Sequence, residues 1–277
     1  MVRFESKKNP LWFSLVIWWI LLAAMYLSDN YFSFRQRMAK LNANSEINSE
    51  IVREQLPEKE LTPQEKYKNW KRPDEPLRVG IQAGHWKNQE LPEELSHLRE
   101  RSSGATVGRI TEWELNLKVA QLVKEKLEAK NIEVDLLPST VPPAYWADAF
   151  VAIHADASEA TSASGYKVSS PRWDLKGAGE MLSSLIGEEY GKITKLKLDP
   201  NITSNMREYY VFNWEKYQHS IHPMTAGAIV ELGYLTNYYD RMFILNNIDK
   251  AAEGIVRGID YYLLTNVMSG SGNNFSH

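Results

Sequence analysis

The pattern of apolar and polar positions divides the chain into an apolar run, a polar stretch and a longer region of mixed periodicity. After a short segment at 1–10, residues 11–27 (LWFSLVIWWILLAAMYL) carry no charge, and about 17 apolar residues is the lower limit for crossing a bilayer. Residues 28–76 are rich in Glu, Lys, Asn and Gln and contain prolines, which predicts a solvated, partly helical stalk. Residues 77–266 predict one folded domain, followed by a flexible tail at 267–277.

Within the folded domain, short apolar runs alternate with amphipathic stripes. Apolar residues recur at helical spacing along 111–131, which is the clearest helix, and Thr111 and Glu114 form a capping box at its start. Strands are predicted at 77–83, 132–138, 150–156, 165–170, 207–213 and 226–235, further helices at 177–192 and 247–265, and a long loop at 86–110. Strands that alternate with helices predict an α/β fold with a mostly parallel sheet and helices flanking both faces.

The apolar run at 11–27 is predicted to be a single uncleaved transmembrane anchor. It is longer than the 7–15 residues usual for the apolar core of a signal peptide, and no clear small-residue cleavage site follows it. A cleaved signal and a buried helix remain the alternatives. Lys and Arg lie on both sides of the run, so the positive-inside rule gives only a weak preference for a cytoplasmic tail at 1–10.

Charge and cysteine content remove several classes of function. The formal net charge is −3, which argues against nucleic acid as a partner. The chain contains no cysteine, which excludes disulfides, thiolate metal sites and a thiol nucleophile.

Three polar residues lie at or near the carboxyl ends of predicted strands, where an open α/β sheet places its ligands, and a fourth candidate lies at the start of a helix. His85 follows the first strand, His154 lies in the third, and Glu231 interrupts the apolar run AGAIVELGYL. Glu112 lies in the first turn of the clearest helix. Each has a structural alternative, because a histidine after a strand is commonly a hydrogen-bonded loop residue and an early helical glutamate favours the helix dipole. Glu231 is harder to explain structurally, since a carboxylate among buried residues needs a partner or a metal.

Taken together, these residues suit a metal site. Two imidazoles and one carboxylate are the protein ligands of several catalytic zinc sites, and a second carboxylate can serve as general base toward water. The same ligand set would also suit ferrous iron. The residues therefore predict a metal site with zinc as the favoured ion.

Four sequence elements, in order, resemble the zinc-dependent N-acetylmuramoyl-L-alanine amidases, a family of cell-wall hydrolases. VGIQAGHW (79–86) is similar to the opening strand and Gly-His element, and EWELNL (112–117) matches the family's Glu-x-x-x-Asn-Leu element. AIHADAS (152–158) and VELGYLTN (230–237) match the last two elements. The resemblance covers about residues 77–265, which is essentially the whole predicted domain.

The resemblance implies roles for individual residues. His85, Glu112 and His154 would bind Zn²⁺, and Glu231 would be the general acid/base. The family hydrolyses the amide between N-acetylmuramic acid and the L-alanine of the stem peptide, so peptidoglycan would be the partner. An enzyme of this kind would need its domain outside the cytoplasmic membrane, held there by a single-pass anchor.

The sequence departs from the family pattern around His85. The usual Asp-Pro-Gly-His-Gly-Gly is replaced by QAGHWK, with Gln82, Ala83 and Trp86. A zinc hydrolase of the same fold acting on another amide, or a non-catalytic cell-wall binding module, therefore stays open as an alternative. The roles of His219 and His222 stay open, and so does that of the aromatic cluster at 208–214, as core or as a glycan platform.

Overall fold

The computed structural model describes residues 10–55, 61–101 and 103–268, and the side chains of 18–45, 61–100 and 103–267. Most of the predicted tails, at 1–9 and 269–277, lies outside these described residues. The chain forms two compact units, and the boundary between them falls between Thr62 and Pro63.

Helix α1 (Pro10–Gln55) accounts for the described secondary structure of the first unit. It is continuous through the predicted anchor and much of the predicted stalk. No helix in the described part of the chain is long and apolar enough to span a bilayer. The side chains of 11–17, which belong to the predicted anchor at 11–27, lie outside the described residues.

The second unit is built on a five-stranded sheet with strand order β4-β1-β5-β7-β6. Its strands are β1 (Arg78–Ala83), β4 (Glu133–Leu137), β5 (Ala149–Asp156), β6 (Lys167–Ser169) and β7 (Ala226–Tyr234). The pairs β1–β4, β1–β5 and β5–β7 are parallel, and only β6 runs antiparallel to its neighbour β7. A separate two-stranded hairpin, β2 (Thr106–Val107) and β3 (Ile110–Thr111), lies in the predicted long loop.

The two faces of the sheet are covered differently. Helices α3 (Glu112–Glu128), α4 (Ala178–Thr194) and α7 (Ile248–Tyr262) share one core with side chains such as Val151 and Ile153 of β5. The alternate residues Phe150 and Ala152 enter a second core, which connecting segments cover. The prediction of a mostly parallel sheet flanked by helices is confirmed in outline, but the described long helices pack on one face rather than on both.

One predicted strand is wrong, and two described α-helices of the second unit, a four-residue one and a nine-residue one, were not predicted. The segment 207–213 forms the end of a short helix, α5 (Ser204–Arg207), and a 3₁₀ turn at Tyr210–Phe212. Val211 and Phe212 are both buried, so apolar side chains here do not alternate between two faces as they would in a strand. Helix α6 (Tyr238–Asn246) begins at Asn237, whose side chain accepts hydrogen bonds from two backbone amides of its first turn.

Residues 63–76, which the sequence assigns to the stalk, belong to the second unit. This segment includes α2 (Pro63–Lys66), and the Trp70 ring lies 6.1 Å from that of Trp146. The Arg72 guanidinium binds both carboxylate oxygens of Asp148, at 2.6 and 2.9 Å. A paired charge of this kind, with Asp148 almost fully buried, fixes the segment that leads into β1.

Helices α4 and α7 approach each other closely at Gly258, and this contact gives a stability prediction. A Cβ at position 258 would lie 2.4 Å from Ile186 Cα, in the backbone of α4. We expect Gly258→Ala to destabilise the fold by about 1–3 kcal/mol, because backbone cannot yield as a side chain does. Gly187→Ala is the matched control, since its Cβ would meet Val168 at an ordinary 3.8 Å. Urea unfolding measures both; equal stability of Gly258→Ala and the parent chain would contradict the packing described.

Candidate metal centre

The polar residues of the site share one face and one end of the sheet. In β5, His154 continues the series of Phe150 and Ala152, so its side chain faces away from the long helices. His154 is paired in register with Glu231 of β7, and Gln82 of β1 is paired with Ala152. The carboxyl ends of three parallel strands therefore bring Gln82, His154 and Glu231 to the same region.

His85, Glu112 and His154 converge although they lie far apart in the sequence. Each offers one ligand atom, and these three atoms lie within 4.8 Å of one another. Glu112 Oε1 lies 3.4 Å from His85 Nε2 and 3.1 Å from His154 Nδ1. Glu112 and His154 are buried, whereas His85 is 22 % exposed and borders the cleft. The structure thus brings together all three predicted ligands.

Glu112 is held by donors around its carboxylate. The Ala105 amide donates to Oε2 at 2.8 Å, and the Ala155 amide and Asn116 Nδ2 donate to Oε1, each at 3.3 Å. Burial would raise the pKa of Glu112, but the hydrogen bond and charge of His154, and then the charge of His85, lower that pKa to about 2. The carboxylate is therefore ionised at neutral pH and available to a cation.

The neighbouring Glu114 takes the structural role instead. The Thr111 hydroxyl donates to the Glu114 carboxylate at 2.6 Å, which is a bond between side chains and not one of the two side-chain-to-backbone bonds of the predicted capping box. The Thr111 side chain makes no hydrogen bond to the backbone amides of the first turn. Glu114 is exposed at the helix start, and Glu112 alone points toward the histidines.

Two glycines allow the backbone to approach these ligands. A Cβ at Gly84 would lie 2.3 Å from His154 Cε1, inside the space of the imidazole ring. A Cβ at Gly104 would lie 2.3 Å from Glu112 Oε2, and Gly104 also has a positive φ of 66°. The predicted long loop therefore contacts the ligand group directly through Gly104.

Glu231 is half-buried beside the same region. Its Oε2 atom has no hydrogen-bond partner among the residues that the structure describes. Burial raises the pKa of Glu231 well above its ordinary value, and the charges of Glu112 and Asp156 raise it further, while Lys167 opposes them. A carboxyl group with a raised pKa and a free oxygen can both carry and release a proton.

A tyrosine that the sequence did not single out lies behind His154. The Tyr209 hydroxyl is 3.2 Å from His154 Nε2 and donates to Gln82 Oε1 at 3.0 Å. Burial raises the pKa of Tyr209 well above its ordinary value, so its hydroxyl stays neutral. Only the aromatic density of 208–214 could have pointed to it, and the predicted strand there obscured the position.

A cleft of about 840 Å³ opens over these residues. One wall comes from the long loop and includes Asn88, His97 and Leu98, and the opposite wall comes from residues 203–217. Of the aromatic cluster at 208–214, Tyr209 and Tyr210 line the cleft while Val211 and Phe212 are core. The cluster is therefore both core and cleft wall.

The remaining residues with open roles lie outside this lining. His219 binds Glu94 of the long loop, with Nδ1 2.7 Å from Oε1, and thereby ties the loop to the segment after the aromatic cluster. The His222 ring packs 5.3 Å from Tyr67 and 5.7 Å from Trp70. Trp86 packs against the helix-covered core. The structure thus gives all three residues packing or tethering contacts.

The donor set fits a divalent transition metal. Two imidazole nitrogens and one ionised carboxylate oxygen lie close enough to share an ion, and a cleft adjoins them. This is the ligand pattern of catalytic zinc sites, which use three protein ligands and keep a position open. The residues present therefore fit a metal ion of the kind that the sequence predicts.

Comparison with known proteins agrees with this arrangement. A family model described as N-acetylmuramoyl-L-alanine amidase (Amidase_3) matches residues 79–261. A comparison with curated proteins finds no match to the chain.

Among solved structures, the CwlD amidase from Clostridioides difficile, in complex with the GerS lipoprotein, is 19% identical, with a TM-score of 0.50. The match covers 69% of this chain and 100% of that one. The AmiC2 amidase of Nostoc punctiforme is 20% identical with a TM-score of 0.49, covering 68% of this chain and 97% of that one. Because the family model spans well over half of the 277 residues, the chain belongs to the N-acetylmuramoyl-L-alanine amidase family.

Proposed function

We propose that the chain is a zinc-dependent amidase that hydrolyses the bond between N-acetylmuramic acid and L-alanine in peptidoglycan. The observation that carries the proposal is that ligand atoms of His85, Glu112 and His154 lie within 4.8 Å of one another. Glu231 adds a carboxyl oxygen, Oε2, that has no hydrogen-bond partner among the described residues. Membership of the amidase family supports the choice of substrate.

The three ligand residues would hold the ion at the floor of the cleft. A zinc ion bound there would supply Lewis-acid chemistry: it would lower the pKa of a water molecule to about 7 and polarise the carbonyl of the scissile amide. Glu112 contributes the negative charge of the ligand group, because its pKa is lowered to about 2. The amides of Ala105 and Ala155 and the side chain of Asn116 keep its carboxylate in place.

Glu231 supplies the proton transfers in this proposal. Its free Oε2 accepts a proton from the attacking water, and the protonated carboxyl then donates that proton to the leaving amine of L-alanine. The raised pKa of Glu231 makes its carboxylate a stronger proton acceptor, so the proton taken from water is held until the leaving amine accepts it.

The test is a digest of purified peptidoglycan by the zinc-loaded chain, resolved by mass spectrometry. We expect free stem peptides with an L-alanine amino terminus and glycan strands that have lost their peptides. Cleavage at another amide would assign the chain to a different hydrolase activity. Binding without any cleavage, with zinc shown to be present, would support a non-catalytic module and contradict the proposal.

We also propose that the second unit lies outside the cytoplasmic membrane, because peptidoglycan is located there. A reporter fused after His277 tests this placement. A reporter enzyme that requires export should be active in this fusion. Activity of a reporter that works only in the cytoplasm would contradict the placement.

A further inference from the structure

The His154 ring is held at both of its nitrogens. Nδ1 faces Glu112 Oε1 at 3.1 Å, on the side of the ligand group. Nε2 faces the Tyr209 hydroxyl at 3.2 Å, on the opposite side. The two rings meet edge to face, with centroids 5.2 Å apart. Whether the Tyr209 hydroxyl donates or accepts at Nε2 therefore influences which ring nitrogen carries the proton once an ion takes the place of the Glu112 contact at Nδ1.

Gln82 fixes the direction of the Tyr209 hydrogen bond. Its Nε2 donates to the carbonyls of Pro138 and Ser139, at 3.2 and 2.9 Å, so Oε1 is the amide atom turned toward Tyr209. The single proton of Tyr209 then goes to Gln82 Oε1 at 3.0 Å. Donation to His154 instead would take that hydrogen bond from a fully buried amide, which is costly.

The position of Tyr210 also favours donation of the Tyr209 proton away from His154. Its hydroxyl lies 3.3 Å from that of Tyr209 and donates its own proton to Ser139 O at 2.5 Å. Tyr210 is thus a second acceptor for Tyr209 rather than a donor to it. Tyr209 therefore presents a lone pair to His154 Nε2, which requires a proton on that nitrogen.

We propose that Tyr209, oriented by Gln82, is a positioning residue that holds the His154 proton on Nε2 and leaves Nδ1 free to bind the metal. This inference rests on the metal site of the proposed function. It gives a role to Gln82, which replaces the acidic residue of the family pattern, and to the first tyrosine of the aromatic cluster. Partners of this kind orient a histidine ligand and raise its basicity.

Replacing Tyr209 is expected to weaken zinc binding, which can be measured independently of turnover. Loss of a partner behind a metal ligand typically weakens metal binding by about 10–100-fold. We expect Tyr209→Phe to raise the zinc dissociation constant by that factor, measured on the full chain by competition with a chromophoric chelator. Tyr239→Phe is the control, because Tyr239 is exposed and lies outside the cleft lining, so the substitution should leave zinc affinity unchanged.

A second measurement needs no substitution and separates positioning from general packing. Nitrogen-15 NMR of the histidine-labelled, zinc-loaded chain should show His154 with its proton on Nε2 and Nδ1 bound to the metal. A proton on Nδ1 would overturn the proposal, and so would an unchanged zinc affinity in Tyr209→Phe. A native chain that binds no zinc would overturn the proposed function together with this inference. Tight native binding that Tyr209→Phe does not weaken would overturn this inference alone.

Discussion

Glu231→Gln is expected to lower the rate of peptidoglycan hydrolysis by about 10²–10⁴-fold while zinc binding is kept, because glutamine has nearly the same shape but cannot transfer the proton. Glu231 lies outside the group of three ligand atoms and its Oε2 is unpartnered among the described residues. The rate at which stem peptides are released, divided by the amount of bound zinc, checks the result. Glu114→Gln is the matched control, since Glu114 is exposed and binds Thr111.

Glu231→Gln should lower activity but raise the free energy of unfolding of the metal-free chain above acidic pH. The folded-state pKa of Glu231 is raised, so the folded chain holds this proton more tightly than the unfolded chain does. The resulting stabilisation is complete below the ordinary glutamate pKa of about 4.3 and is lost as the pH rises through the folded-state value. Metal-free Glu231→Gln should therefore gain stability relative to the parent chain as the pH rises above about 4.3. Unfolding curves across this range that stay parallel for the two chains would count against the burial cost assigned to Glu231.

His85→Ala is expected to abolish zinc binding at stoichiometric concentrations, and activity with it. The loss should exceed the roughly 100-fold limit typical of residues behind a ligand, because a ligand itself is removed. His85 is the most exposed of the three ligand residues, so its removal disturbs the core least. Metal content after gel filtration and activity after chelation and zinc addition are the two measurements.

His219→Ala is the matched control for this loss. His219 is also partly exposed and also binds a glutamate, but its partner Glu94 lies in the long loop rather than in the ligand group. We expect zinc content near one per chain in this variant. Equal zinc content in His85→Ala and His219→Ala would argue that the ion binds elsewhere.

The sequence predicted which polar residues lie close together better than it predicted the segments around them. Val151 and Ile153 mark β5 as a buried strand, and a strand in a parallel sheet delivers the following polar residue to a known edge. The choice of Glu112 over Glu114 depended on the family resemblance, because both residues lie in the first turn and either could cap the helix. The structure distinguishes the two residues, because the Glu112 carboxylate faces the two histidines whereas the Glu114 carboxylate accepts a hydrogen bond from Thr111.

The predictions that differ from the structure concern segments stabilised by tertiary contacts. Residues 207–213 have the composition of a strand, but no neighbouring strand is available to them, and Phe212 packs on Phe150 instead. The start of the second unit at Pro63 depends on the Arg72–Asp148 pair, which joins residues far apart in sequence. Tyr209 could not be assigned for the same reason, since its partners Gln82 and His154 belong to two different strands.

The close approach of Gly84 to His154 has a consequence for how this chain can change over time. Any side chain at position 84 would occupy the volume of the imidazole, so the glycine is required only while the imidazole is present. A descendant that lost the histidine would be released from that restriction, and a larger residue could then fill the gap. The pair should therefore be kept or abandoned together, and a bulky residue at 84 would mark a copy that has given up its metal.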